Sequence, residues 1–221
     1  MPRRNRVDPW GDLHATAERG LFTGNRGCVV DDAENVVRHH RGNLWIICRL
    51  RFRDWRVPLA RPNRWTPLFF LDDVAALAAG HRPCGLCRRE DYVAYRDAVT
   101  DMDGATQPVG ATALNRRLAA ERLRRGRGLA RSADRKLSEA AVESLPTGTV
   151  YVAADGPRAL LPDAAFAFGF GGWHSPIARP TGLVRVLTPP TSVAALAGGF
   201  QPVWHRSAFP VSTGGEGNGL S

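Results

Sequence analysis

The residues with the most defined chemistry are Cys84 and Cys87, two thiols separated only by Gly85 and Leu86. Thiolates at this spacing can both face one metal ion, and the intervening glycine suits the tight knuckle turn that brings them together. Zinc takes four ligands in a tetrahedron, so the rest must come from distant segments. Cys28 and Cys48 complete the count, which makes Cys28, Cys48, Cys84 and Cys87 the candidate Zn2+ ligands. His39, His40 and His81 are substitutes for Cys28, and His81 stands three residues before Cys84. Two other readings of the thiols stay open. Cys48 suits an ordinary buried cysteine on the apolar face of a strand. The pair could also be a redox couple, because a helix begins near Arg88 and a helix N-terminus lowers a thiol pKa. Against redox chemistry, no βαβ unit precedes the pair.

These side chains need elements to hold them. Residues 28–30 and 36–38 flank Asp31, Asp32, Ala33, Glu34 and Asn35, a connection suited to a hairpin. Over 44–52, Cys48, Leu50 and Phe52 alternate with Arg49, Arg51 and Arg53, so a strand with an inward apolar face and an outward arginine row is expected. Residues 56–60 could pair back onto it. A short strand at 67–71 leads into a helix at 74–79, capped by Asp72 or Asp73 and closed by Gly80. The knuckle then opens a helix over 88–102 with Tyr92, Tyr95 and Val99 on one face. Helices are expected at 111–125 and 133–145, joined by a turn at 126–128. Strands follow at 149–153, 159–161 and 183–187, with an aromatic, glycine-rich loop or bulged strand at 166–176.

An internal repeat cuts across this order. Residues 74–83 (VAALAAGHRP) and 193–202 (VAALAGGFQP) agree at seven of ten positions, and each copy follows a short apolar strand. The second copy continues with Val203 and Trp204 where the first has Cys84 and Gly85, so it can share the shape without the chemistry. The fold expected is α+β: N-terminal β hairpins with a zinc knuckle, central helices, and a C-terminal β part containing the metal-free strand–helix repeat. The regions are 1–103 around the knuckle, 104–146 as a basic helical segment, 147–211 as a β-rich part, and 212–221 as a disordered tail.

Composition narrows the partners. The chain has 221 residues and a formal net charge of +9, with 43% hydrophobic residues, which excludes wholesale disorder. Eight arginines between Arg38 and Arg64 face only Asp54, and nine basic residues between Arg116 and Lys136 face only Glu121 and Asp134. From Ala140 onward the charge balances. Two basic segments on a balanced chain suggest a polyanion, with a solvated surface as the alternative. A single lysine, Lys136, points to a compositional bias in the choice of arginine rather than to function. No apolar run is long enough to span a membrane, and the basic N-terminus lacks the apolar stretch of a signal peptide, so a cytoplasmic location and no membrane partner are expected.

The segment from Phe69 to Asp91, FFLDDVAALAAGHRPCGLCRRED, resembles the second half of the Ada-type metal-binding domain of methylphosphotriester repair. The resemblance covers 23 residues and rests on Gly80, Arg82, Pro83, Cys84 and Cys87. It implies zinc bound by Cys84 and Cys87 and a surface that faces DNA. In that family a first, closely spaced cysteine pair completes the site and one member accepts a methyl group from a DNA phosphotriester. Here that pair is missing, Cys48 alone lies in the corresponding strand region, and His81 replaces the usual aromatic, so methyl-acceptor chemistry is not implied. The wider chain, with Gly24 to Cys28 near its start and the knuckle in the middle, also resembles a bacterial family, without implying an activity.

The leading functional expectation is therefore a zinc-stabilised protein that binds nucleic acid, most naturally DNA, without sequence preference, in a setting such as DNA repair. Its phosphate contacts would be Arg49, Arg51, Arg53, Arg56, Arg88 and Arg89. One alternative is an enzyme with His81 and His174 near the knuckle, Asp155 as a further candidate, and Trp173 shaping a pocket. The other is a partner-binding scaffold that uses zinc only to fold. No nucleophile elbow or phosphate loop assigns a reaction.

Overall fold

The computed structural model describes residues 1–54 and 65–209. The strand expected at 56–60, Arg56 itself and the tail at 212–221 lie outside the described residues. The fold is α+β, and its strands form two six-stranded sheets. The first contains β1 (Arg4–Val7), β2 (Leu13–Ala15), β3 (Phe22–Asn25), β4 (Ile46–Arg49), β5 (Leu68–Phe70) and β6 (Arg82–Pro83), in the order β2-β1-β5-β3-β4-β6. The second contains β7 (Ser138–Ala141), β8 (Val150–Ala153), β9 (Gly156–Leu160), β10 (Ala164–Gly169), β11 (Gly172–Ala178) and β12 (Leu183–Val186), in the order β11-β10-β9-β8-β12-β7. Among the described residues only β1–β5 and β4–β6 pair in parallel. No helix among the described residues is long and apolar enough to cross a membrane.

Helix α1 (Asp73–Ala78) sits where the two halves meet. Its six residues are all buried. Ala76 and Leu77 join the core under the first sheet, while Val74, Ala75 and Ala78 join the core under the second. Alanine suits this place because a small side chain lets backbone approach on every side. Asp72 caps the helix, accepting from the Ala75 N–H at 2.9 Å. Gly80 closes it with φ of +86°, the His81 N–H bonding to Ala76 and the Gly80 N–H to Leu77. Gly80 is required twice over, because a Cβ there would also lie 2.7 Å from the Arg122 side chain.

The repeat reproduces this ending bond for bond. In helix α4 (Pro190–Ala197), which follows β12, Gly199 has φ of +95° and donates to Leu196, and Phe200 donates to Ala195. Helix α2 (Arg89–Met102) buries Tyr92, Tyr95 and Val99 as expected, and α3 (Ala111–Arg122) buries Leu114 and Leu118. The 166–176 region is a hairpin of β10 and β11 with a bulge between Ala165 and Ala167.

Three expectations need correction, the first being that α3 ends at Arg122 and not at 125, because Leu123 is extended and bridges to Arg135. Residues 133–145 are not a helix: a 3-10 turn at Ser132–Asp134 leads into β7, which pairs along its length with β12, and then into a second turn at Val142–Ser144. Arg135 forces this path, because its guanidinium reaches the carbonyls of Ala78 at 2.6 Å and Leu187 at 2.8 Å. Tertiary pairing overrides the helical preference of Ala, Glu and Lys. The strand over 44–52 is also shorter, ending at Arg49. Its core-facing residues are Trp45 and Ile47, so Cys48, Leu50 and Phe52 line the opposite side.

Candidate metal centre

Strand β4 and the knuckle are joined by the backbone before any side chain is considered. Ile46 pairs with Arg82 and Ile47 with Pro83, and the Cys84 N–H donates to the Ile47 carbonyl at 3.0 Å. This register delivers Cys84 and Cys87 to Cys48, so that the three sulfurs lie within 4.8 Å of one another. Cys84 and Cys87 are buried, and Cys48 is half-buried. Gly85 does not owe its place to an unusual backbone angle: its Cα faces the Tyr92 ring, and a Cβ would make ordinary contact at 3.4 Å.

The three thiols lie close enough to shift one another's ionisation. Hydrogen bonds to Cys84 and Cys87 push the Cys48 thiol far up. Hydrogen bonds from Cys48 and then Cys87 hold Cys84 down, and the Leu86 N–H also donates to its sulfur at 3.4 Å. The thiolate is thus favoured at Cys84 and disfavoured at Cys48 and Cys87, an opposition that a bound cation would remove. Tetrahedral zinc with Zn–S bonds of about 2.3 Å spaces its sulfurs at about 3.8 Å, which this group can meet by small rotations. Cys48, Cys84 and Cys87 can therefore hold a metal ion.

Cys28 does not belong to this group. It stands beside the Val30–Val36 bridge, where its thiol donates to the Val30 carbonyl at 3.5 Å. The histidine substitutes are elsewhere too. His81 is fully buried between Trp45 and Phe70, with ring centroids at 5.0 and 4.6 Å. His39 and His40 bond to each other at 3.1 Å beside the same tryptophan. Among the described residues no other His, Cys, Asp or Glu joins the three thiols. The sulfurs open into a cavity of about 360 Å³ walled by Ile46, Leu50, Phe52, Trp65 and Leu86.

The arginines expected to meet phosphates divide by burial. Arg49, Arg51, Arg53 and Arg89 are exposed. Arg88 is not available. It is buried, pairs with Asp73 through both guanidinium nitrogens and with Asp91 at 2.7 Å, and stacks over Phe22. Neither do His81 and His174 form a common site, since His174 is exposed on β11 and bonds to Ser175. Asp155 is tied to Arg158. Trp173 is buried with its indole N–H on Asp72 at 2.6 Å.

That contact belongs to an acidic pair that sequence reasoning reduced to a helix cap. Asp72 also accepts from the His205 N–H, and Asp73 from the Val203 N–H, so the two carboxylates tie the knuckle helix to the C-terminal segment. Burial pushes Asp72 up to about 6 despite these bonds. The available signal was the adjacency of two acids to the cap position and two arginines beyond the second cysteine.

Fold and site together define an α+β protein with a group of three cysteines that could hold a metal ion. Comparison with known proteins adds no relative: no family model, no curated protein and no solved structure matches this chain.

Proposed function

We propose that the protein is zinc-stabilised and binds nucleic acid, DNA in the first instance, without reading its sequence. The observation that carries this reading is the convergence of Cys48, Cys84 and Cys87 beside a strand end whose arginines are exposed. Zinc is the metal proposed because an all-sulfur set joined to backbone ladders suits a closed-shell, redox-inert ion. Cys48 at the end of β4 and Cys84 and Cys87 before α2 would hold the ion and so join the two elements near Arg49 and Arg89, with Arg51 and Arg53 following β4 in the chain. Guanidinium groups so arranged attract phosphates by charge and counterion release. The Ada-type resemblance supports a DNA-facing surface and an association with repair.

The test is the salt dependence of duplex binding, followed by fluorescence anisotropy. Each phosphate contact contributes about 0.9 to the log–log slope, so changing Arg49, Arg51 and Arg53 to Gln should flatten it by about two to three. An unchanged slope refutes this contact surface.

A second reading is favoured by the count of three. A thiolate-held zinc with three protein ligands has an open fourth position, the arrangement of reactive rather than purely structural sites. Here that position would face the apolar cavity beneath Leu50 and Phe52, where a water or a substrate group would complete the coordination. Alkylation of the wild-type thiols by iodoacetamide, slowed by an added ligand that fills the cavity, would favour this reading.

A further inference from the structure

A second basic feature lies away from the thiols, where the chain leaves α3. Leu123 takes an extended conformation, so Arg124, Arg125 and Arg127 are not spread around a helix but follow one another along a loop. All three are exposed. With Arg122, Arg131 and His40 they surround a recess of about 620 Å³, within the size range of small-ligand pockets (roughly 300–1,000 Å³).

The walls of this recess are fixed. Arg122 is buried, with its guanidinium 3.8 Å over Trp45 and bonded to the carbonyls of Gly80 and Asn43. Arg131 is buried, bonded to Asp134 and to the Arg124 carbonyl at 2.9 Å. Its backbone N–H meets Asp12 at 2.6 Å. Gly126 lets the loop press against this ion pair, since a Cβ there would lie 2.5 Å from the Asp134 carboxylate.

Negative charge near the recess is already engaged. Asp134 is held by Arg131, and Glu121 accepts from the backbone and hydroxyl of Thr191. Among the described residues no carboxylate forms an ion pair with Arg124, Arg125 or Arg127. The carbonyls at the end of α3, which would repel an anion, are covered as well. Lys136 donates through its Nζ to Ala120 and through its N–H to Arg122.

His40 lines the same recess. Burial, with Arg26 adding to it, favours the neutral form of His39, and in the tautomer that donates from Nε2 to the Gly11 carbonyl at 2.9 Å its Nδ1 accepts from His40. Burial, with Arg26, Arg122 and Arg131 adding to it, pushes His40 down to about 4. A solvated basic surface accounts for exposed arginines, but it needs no concave shape and no arginines locked into its walls.

We propose that this recess is a phosphate-binding site for ligands with two or more linked phosphates, supplied either by a free nucleotide or by a nucleic-acid backbone. Orthophosphate alone would leave most of the recess empty. The proposal stands apart from the reading above, because it needs neither the thiols nor Arg49.

The test uses the full chain, with calorimetric titration of inorganic phosphate, pyrophosphate and ATP at low salt. Two charge-matched triple variants are compared, Arg124, Arg125 and Arg127 to Gln, and Arg49, Arg51 and Arg53 to Gln. Near-UV circular dichroism checks that both fold. Pyrophosphate and ATP should bind more tightly than orthophosphate, and the recess variant should weaken them tenfold or more while the β4 variant changes them less than twofold. Duplex DNA that displaces ATP identifies the backbone as a source, and ATP binding indifferent to DNA identifies the nucleotide; either outcome supports the site. Failure of pyrophosphate and ATP to bind at millimolar concentration overturns it. So do equal losses in the two variants, which would mean diffuse attraction. Flattening of the DNA salt slope by the β4 variant bears only on the earlier reading.

Discussion

Residues 74–83 and 193–202 are nearly the same segment placed twice, and their fates differ. Both form a short helix closed by a left-handed glycine with the same pair of backbone bonds. In the first copy the chain continues as Cys84 to Cys87 and meets Cys48 of β4 in a group that could hold a metal ion. In the second it continues as Val203 to His205, whose backbone N–H groups bond to Asp73 and Asp72. The helix starts differ in the same sense. The positions of Asp72 and Asp73 in the first copy are held by Thr191 and Ser192 in the second, which bond to Glu121 and Tyr95. One copy therefore carries the charged and metal chemistry, and the other braces it. A helix ending sets direction, and the residues just outside it decide what that direction is used for.

The largest separation of the two copies should come from Cys84→Ala against Val203→Ala, positions that correspond in the repeat. Losing a metal ligand should cost several kcal/mol and abolish metal binding. Val203 is partly exposed, and its truncation should cost less than about 1 kcal/mol. Urea titration of both variants measures the gap, and comparable midpoints would break the comparison.

The next effect concerns the helix starts. Asp73→Asn removes the buried charge partner of Arg88, leaving only the half-exposed Asp91, and should cost about 3 kcal/mol. Ser192→Ala removes one neutral hydrogen bond to Tyr95 and should cost about 1 kcal/mol. Thermal unfolding at fixed metal concentration compares them.

Asp72 adds a pH dependence that its counterpart Thr191 cannot have. Its folded-state value of about 6 lies above the ordinary 3.8, so the folded protein holds this proton more tightly than the unfolded chain. Its contribution is then fully present below about pH 3.8 and lost as pH rises from there through 6, at most about 3 kcal/mol. The stability difference between the protein and its Asp72→Asn variant should therefore narrow between pH 4 and 7. A constant difference would mean that Asp72 titrates normally.

The smallest effect should be that of Cys28→Ser, under about 1 kcal/mol, since it replaces one long thiol contact to Val30. A loss as large as that of Cys84→Ala would return Cys28 to the ligand set.

Much of the centre could be read in the sequence because its signals are local. The spacing of Cys84 and Cys87, the cap at Asp72, the glycine at 80 and the aromatic face of α2 each depend on neighbouring residues. What escaped depends on distant partners. The role of Arg88 follows from Asp73, and the exposure of Leu50 follows from which face of β4 Trp45 and Ile47 occupy. The same applies to charge. Arg122, Arg131 and Arg135 add to a basic segment in the sequence, yet in the fold they are buried and bonded to carbonyls. β1 and β2 are brief strands without a clear alternating pattern, and they gain their identity from pairing with each other and with β5.

The central claim is that three cysteines, and not four, hold one metal ion. Native mass spectrometry of the protein and of its Cys28→Ser and Cys48→Ser variants tests it most directly. The expected result is one zinc on the protein and on Cys28→Ser, and none retained on Cys48→Ser at equal chelator concentration. Zinc kept by Cys48→Ser, or lost from Cys28→Ser while the chain stays folded, would contradict it.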